Sequence, residues 1–234
     1  DNLFSTELAA IIVSNGEEVP AILRDSAERN ETPLFTSTLA SPVLMSHLGH
    51  YLTQCLAELT SLHGVFLEVL GTGVLIKGDA GVGKSELALE LITRGHRLVA
   101  DDVVELKHVA PETLEGYCPP LIRDFLEVRG LGILNIRFLF GETAVKLRKN
   151  LKLIVQLVHP QDIGKAGLNR LDMVASTETI LGVAIPKVCI PVAAGRNLAV
   201  LVEVAVRNHI LKSRGINPLD QFIKRQQAAI DGNS

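Results

Sequence analysis

The chain has 234 residues, 47% of them hydrophobic, 21% charged and 4% aromatic, with no tryptophan. That balance suits one large globular domain, or one domain with a smaller partner, and excludes disordered, collagen-like and low-complexity classes. The 23 Lys and Arg set against 26 Asp and Glu give a net charge of -3, which offers no global basic field to recruit nucleic acid or an anionic membrane.

The first sixty residues alternate short apolar runs with helical patterns, a β-α-β-α rhythm. Residues 9–13 read as a strand and Asn15-Gly16 as a turn. Residues 19–30 form a helix with Ile22, Leu23 and Ala27 on one face, and residues 33–36 make a second strand. Ser41-Pro42 reads as an N-cap with proline at the first helical position, opening an amphipathic helix through Met45, Leu48, Tyr51, Leu52, Cys55 and Leu56 that ends near Thr60. From His63 the period changes, and a second domain is expected to begin. Residues 65–70 and 73–77 are two strands about a Gly71-Thr72 turn. A glycine-rich loop, a helix over 84–94 and a strand over 96–100 follow, completing a β-loop-α-β unit. Residues 110–120 read as a Pro/Gly-rich loop, 151–158 and 187–192 as strands, and 197–214 as a long helix. Pro218 starts a last amphipathic helix, where Ile223, Lys224, Arg225, Ala228 and Ile230 offer a mixed basic and apolar surface to a partner or to packing. The division expected is a partial N-terminal α/β domain over 1–60 and a catalytic domain over 61–234.

Cys55, Cys118 and Cys189 are odd in number and widely spaced, so neither a disulfide framework nor a zinc site is expected, and a reducing cytoplasm is the simplest setting. No apolar run approaches the roughly 20 residues of a membrane span. The most hydrophobic stretch, 198–206, is interrupted by Glu203. The chain opens on Asp1 without methionine or a signal pattern, which reads as part of a longer chain rather than an exported precursor.

Gly78-Asp79-Ala80-Gly81-Val82-Gly83-Lys84-Ser85 has a glycine, four residues, then Gly-Lys-Ser, between an apolar strand and an amphipathic helix. Such a loop turns backbone N–H groups inward as an anion nest at a helix N-terminus. Lys84 supplies a point charge for the outer phosphates, and Ser85 a hydroxyl for Mg2+. Asp101-Asp102 follows a short strand, where a carboxylate can face a metal and an acceptor hydroxyl at the carboxyl edge of a sheet. An acidic turn fits the pattern equally well. Glu127-Val128-Arg129-Gly130-Leu131-Gly132 joins opposite charges to two glycines and suits a loop that approaches a ligand. By pattern alone His63, Arg170 and the Gly195-Arg196 turn read as solvated or capping residues.

The segments GDAGVGKSELALELITRGHRLVADDVVEL, LEVRGLGILNI, FGETAV and PVAAGRNLAVLVE resemble bacterial HPr kinase/phosphorylase, densely from His63 to about Ile223 and more weakly over residues 1–60. The resemblance implies a P-loop catalytic domain similar to phosphoenolpyruvate carboxykinase, and a cytoplasmic homohexamer. It implies ATP- or pyrophosphate-dependent phosphorylation of a serine on the phosphocarrier HPr, and the reverse phosphorolysis by inorganic phosphate. It further implies an active-site histidine at His63, nucleotide and Mg2+ contacts at Lys84 and Ser85, proton handling at Asp102 with Asp101 in support, and a second Mg2+ position at Glu127. Arg170 matches an active-site arginine, residues 126–135 the family signature with Arg129 and Gly130, and residues 191–196 a phosphorolysis loop ending in Arg196. Ala80 replaces a common serine and Asn169 a common aspartate. Losing one hydroxyl from a backbone cradle costs about 1 kcal/mol or less. The phosphate loop alone also allows a P-loop kinase of a small metabolite or a nucleotide-gated switch, although no Asn-Lys-x-Asp guanine-reading pattern follows it.

Overall fold

A computed structural model describes residues 3–159, 176–193 and 195–231. They divide into two compact units, one up to Ala57 and one from Glu58. In the first, β1 (Ile11–Val13) pairs in parallel with β2 (Leu34–Thr36) through the crossover helix α1 (Ala21–Arg29), and α2 (Ser41–Leu56) follows. The expected rhythm is present, with local corrections. Ala27 is buried but Ile22 is exposed. Ala40 occupies the N-cap and Ser41 is already helical; the Ser41 hydroxyl shares a 2.6 Å hydrogen bond with that of Ser14 instead of capping the helix. α2 stops at Leu56, because Ala57 turns to extended backbone and the next strand begins at Leu59. Met45, Tyr51, Leu52 and Leu56 on α2 are exposed.

The second unit begins with β3 (Leu59–His63), β4 (Val65–Val69) and β5 (Thr72–Lys77), then α3 (Lys84–Thr93), β6 (Arg97–Ala100), β7 (Val103–Ala110) and β8 (Thr113–Tyr117). It continues through β9 (Phe125–Val128), β10 (Gly132–Asn135), α4 (Ile136–Phe140) and β11 (Arg148–Val158). Last come β12 (Ser176–Ile180), β13 (Val183–Pro191), α5 (Leu198–Ser213) and α6 (Pro218–Asp231). Two expectations move. The β4–β5 turn is Leu70-Gly71, one residue earlier than expected, with both residues at positive φ. Residues 110–120 are not a loop throughout. They contain β8, which pairs with β7 about a turn at Pro111-Glu112, because Leu114 and Gly116 alternate inward while Pro111 is confined to the turn and Pro119 and Pro120 follow the strand.

The main sheet runs β3-β7-β8-β11-β5-β4-β6, and β13 with its partner β12 joins along the second half of β11. β11 belongs to both parts of this curled sheet: residues 148–150 pair antiparallel with β8, and residues 154–158 run parallel to β13. A bulge between Leu151 and Leu153 sends these two leucines, which simple alternation would put on one face, into different cores. On one face, Val65, Leu67, Val74, Ile76, Val155 and Leu157 pack against α3 and α5. On the other, Phe66, Leu75 and Ile154 meet residues of β7 and β8 such as Leu106 and Leu114. β5, β11 and β13 are parallel, and β6, antiparallel to β4 as β5 is, points the same way. Lys77, Ala100, Val158 and Pro191 therefore end at one carboxyl edge, where open α/β sheets place their ligands.

Candidate active site

The phosphate loop leaves β5 at Gly78, whose φ is +156° and where an added Cβ would lie 2.9 Å from Val82 Cγ1 and 3.0 Å from the Leu157 carbonyl oxygen. Only glycine fits that approach. Gly83 caps α3 in the left-handed conformation. Lys84, buried at the first turn of α3, donates from Nζ to the carbonyls of Gly78 (2.9 Å) and Asp79 (3.0 Å). Two of the three ammonium donors thus hold it over the loop, and one is left for a ligand.

β6 ends at Ala100, and the next two residues behave differently. Asp101 is buried, and its Oδ2 accepts the backbone N–H of Glu127 at 3.0 Å. Burial pushes its carboxyl above the usual range, opposed by backbone hydrogen bonds from Glu127 and Asp102. Asp102 has φ +64°, an unfavourable conformation for a non-glycine residue that costs on the order of 1 kcal/mol and is characteristic of functional sites. Its side chain is 69% exposed, with Oδ1 2.9 Å from His63 Nδ1. The register of β3 against β7 sets His63 opposite Val103, hence beside Asp102. The two aspartates occupy the turn between β6 and β7, and Asp102 forms with His63 a carboxylate-imidazole pair facing solvent.

The β9–β10 hairpin supplies the remaining wall. Leu126 and Val128 point into the core, so Glu127 between them points out, and Gly130 lies in the turn at positive φ. The Arg129 guanidinium stands 3.9 Å from where a methyl group on Gly81 would lie, placing a second cation over the phosphate loop. Together Ala80, Gly81, Gly83, Lys84 and Ser85, with His63, Asp101, Asp102, Glu127 and Arg129, line a cavity of about 600 Å³. Gly64 and Glu86 line it too. The sequence reading missed both, although an acidic residue in the first turn of the phosphate-loop helix was available as a signal for the second.

Not every expected residue is part of this wall. Arg170 and Asn169 lie outside the described residues. Arg196 follows β13 at the same carboxyl edge, exposed in a turn where its N–H bonds the Ala193 carbonyl, but it does not line the cavity. Ser85 and Glu127 offer hard oxygen donors of the kind Mg2+ prefers. Among the described residues no three His, Cys, Asp or Glu side chains converge as a metal cage. A cation here would therefore draw its other ligands from phosphate and water, the usual situation of Mg2+ at a nucleotide. Among the described residues no helix is long and apolar enough to cross a membrane.

Two family models match: HPr Serine kinase N terminus over residues 1–52 and HPr Serine kinase C-terminal domain over residues 54–226. A protein of Chromobacterium violaceum named HPr kinase/phosphorylase is 58% identical over 225 residues, covering 96% of this chain and 71% of its own length. One of Nitrosomonas europaea with the same name is 54% identical, covering 100% of this chain and 72% of its own. The solved structure of the Hpr(Ser) kinase/phosphatase from Coxiella burnetii superposes with a TM-score of 0.62 at 42% identity, over 67% of this chain and 93% of the other.

Proposed function

Because the chain belongs to the HPr serine kinase family, we propose that the cavity at the carboxyl edge transfers a phosphoryl group between ATP and a serine of the phosphocarrier HPr, and runs the reverse phosphorolysis. The observation that carries this reading is the His63–Asp102 pair, at 2.9 Å, on the same cavity as Lys84 and Ser85. A proton-handling group thus faces a phosphate cradle. The loop N–H groups, Lys84 and Arg129 bind and orient the phosphates, and Mg2+, held through Ser85 and Glu127, neutralises their charge when bound. Asp102 accepts the proton of the serine hydroxyl as that oxygen bonds to the terminal phosphorus and the bond to ADP breaks. In reverse, an oxygen of inorganic phosphate bonds to the phosphoserine phosphorus, the serine oxygen departs and takes its proton back from Asp102, and pyrophosphate is released. His63, its Nδ1 2.9 Å from Oδ1, orients the carboxylate. Arg170 adds charge stabilisation to the transferring group, and Arg196 serves the phosphorolysis direction. Both assignments are carried over from the resemblance of the surrounding residues to the family.

A protein substrate of the sugar phosphotransferase system and three free cysteines support a cytoplasmic setting, and the family resemblance supports a homohexamer, which light scattering tests directly. The experiment for the activity is the intact mass of HPr after incubation with the protein and Mg-ATP, followed by removal of ATP and addition of phosphate. One phosphoryl group gained, then lost with release of pyrophosphate, is expected. No gain while nucleotide still binds would favour the metabolite-kinase reading.

A further inference from the structure

At the other end of the same strands lies a second charged cluster. α3 closes with Gly95 N–H bonded to the Ile92 carbonyl and His96 N–H to that of Leu91, and β6 begins one residue later at Arg97. Glu203, in the second turn of α5 and 8% exposed, reaches this joint. Its carboxylate accepts two hydrogen bonds from Arg94, from Nε at 2.9 Å and Nη2 at 2.8 Å, and lies 3.0 Å from Nε2 of the buried His96. Arg207 on α5 adds a contact at 3.7 Å. We propose that Glu203 is a positioning residue for phosphoryl transfer: through Arg94 and His96 it locks the joint between the helix that carries Lys84 and Ser85 and the strand that delivers Asp101 and Asp102.

Stability alone does not call for this cluster. α3 and α5 already pack through Leu87, Ala88, Leu91, Ala199, Val202 and Val206, and a buried ion pair is often no more stabilising than apolar residues of equal volume. A two-pronged guanidinium-carboxylate contact adds a fixed angle. The angle matters because the joint is the pivot of two levers: α3 is about 15 Å long at 1.5 Å per residue, and β6 about 13 Å. A rotation of roughly 4° at the joint moves either far end by about 1 Å, a displacement that can cost about 100-fold in rate. α5 also runs back to Asn197, whose side chain caps it directly after Arg196, so the same carboxylate ties that loop to the pivot.

The inference rests on the reading of Lys84, Ser85 and Asp102 given under the proposed function. Its test uses the full chain as Glu203→Gln and Arg94→Lys, with Val206→Ala as a comparator that loosens the same interface without touching the joint. At a temperature where each variant is folded by circular dichroism, kcat for HPr phosphorylation should fall about 10- to 100-fold in the first two, while the KM for ATP stays within about threefold. Val206→Ala should keep kcat. Amide exchange over residues 94–102 should quicken in the first two variants alone. If Glu203→Gln does not fold, Arg94→Lys, which keeps the charge, carries the same test. Wild-type kcat in the charged-cluster variants, or an equal loss in Val206→Ala, would overturn the proposal. Should the wild-type chain fail to phosphorylate HPr, the earlier reading falls, and unchanged exchange over 94–102 would sink the joint independently.

Discussion

The two ends of the catalytic sheet each hold a carboxylate against a basic partner, and they treat it in opposite ways. At the carboxyl edge Asp102 has a 69% exposed side chain, a strained backbone and His63 beside it. At the amino edge the Glu203 side chain is 10% exposed and is met by two arginines and a histidine. An exposed carboxylate with spare lone pairs can receive a proton from a substrate and give it back. A buried one already engaged on both oxygens cannot change its protonation without leaving cations stranded. In the proposed mechanism the same pairing of residue types serves chemistry at one edge and scaffolding at the other, a distinction that mutations at the two edges should reproduce.

The largest effect belongs to the carboxyl edge. Lys84→Ala removes the cation that the loop carbonyls hold over the phosphate site, and transfer in both directions should fall by about 1,000-fold or more, read from HPr mass and pyrophosphate release. Asp102→Asn keeps the shape but not the proton acceptor; kcat should drop about 100- to 10,000-fold, with nucleotide affinity measured by a fluorescent analogue nearly unchanged. Asp102→Asn should not lower the melting temperature appreciably, since the Asp102 side chain is exposed. Turnover near wild type in the second variant would remove Asp102 from the mechanism.

The amino edge answers with stability. Glu68, nearly buried at the end of β4, meets Lys149 at 2.6 Å, Lys146 at 2.8 Å and Arg97 at 3.5 Å. Burial pushes its carboxyl up, but the hydrogen bonds from Lys146 and Lys149 outweigh that and hold it below the usual range. Glu68→Gln should destabilise by about 3 kcal/mol, the order expected when one partner of a buried pair is removed, seen as a lower denaturation midpoint. Turnover per folded molecule should stay at the wild-type level. A matching loss of kcat would mean that the amino edge is tied to catalysis more widely than through Glu203.

Much of this organisation was legible in the sequence because it is local. Gly78 through Ser85 declares itself by spacing, and the strand before it and the helix after it are strongly periodic. Asp101-Asp102 was visible as a pair, yet the pattern could not say that one would be buried and the other exposed at a positive φ. His63 looked like an isolated histidine, since its partner is set by the register of β3 on β7, which no short window contains. β8 was hidden by Pro111 and Gly116, residues that mark loops by composition but here sit in a turn and beneath Phe66. Glu203 was noticed only as an interruption of an apolar run. Arg94 and His96, more than 100 positions away, explain it, and that pairing is created by the packing of α3 on α5.

Acid supplies the smallest and most specific separation of the two edges. Hydrogen bonds from Arg94, opposed by burial and reinforced by His96, hold the Glu203 carboxyl at about 2, well below the 4.5 of an unperturbed glutamate. A depressed carboxyl stabilises the folded state fully above the unfolded value and loses that contribution as pH falls through the folded one. The excess stability of the wild type over Glu203→Gln should therefore hold near neutrality and shrink between pH 4.5 and about 2. Asp101, raised by burial, acts in the opposite sense, but it is common to both proteins and cancels in the difference. Thermal melts of the pair across that window should converge on acidification, by about 2–4 °C for each kcal/mol of the carboxylate's contribution that is lost. A gap that stays constant down to the acid limit would show that Glu203 is not held as a carboxylate by the joint, and that its contribution is packing alone.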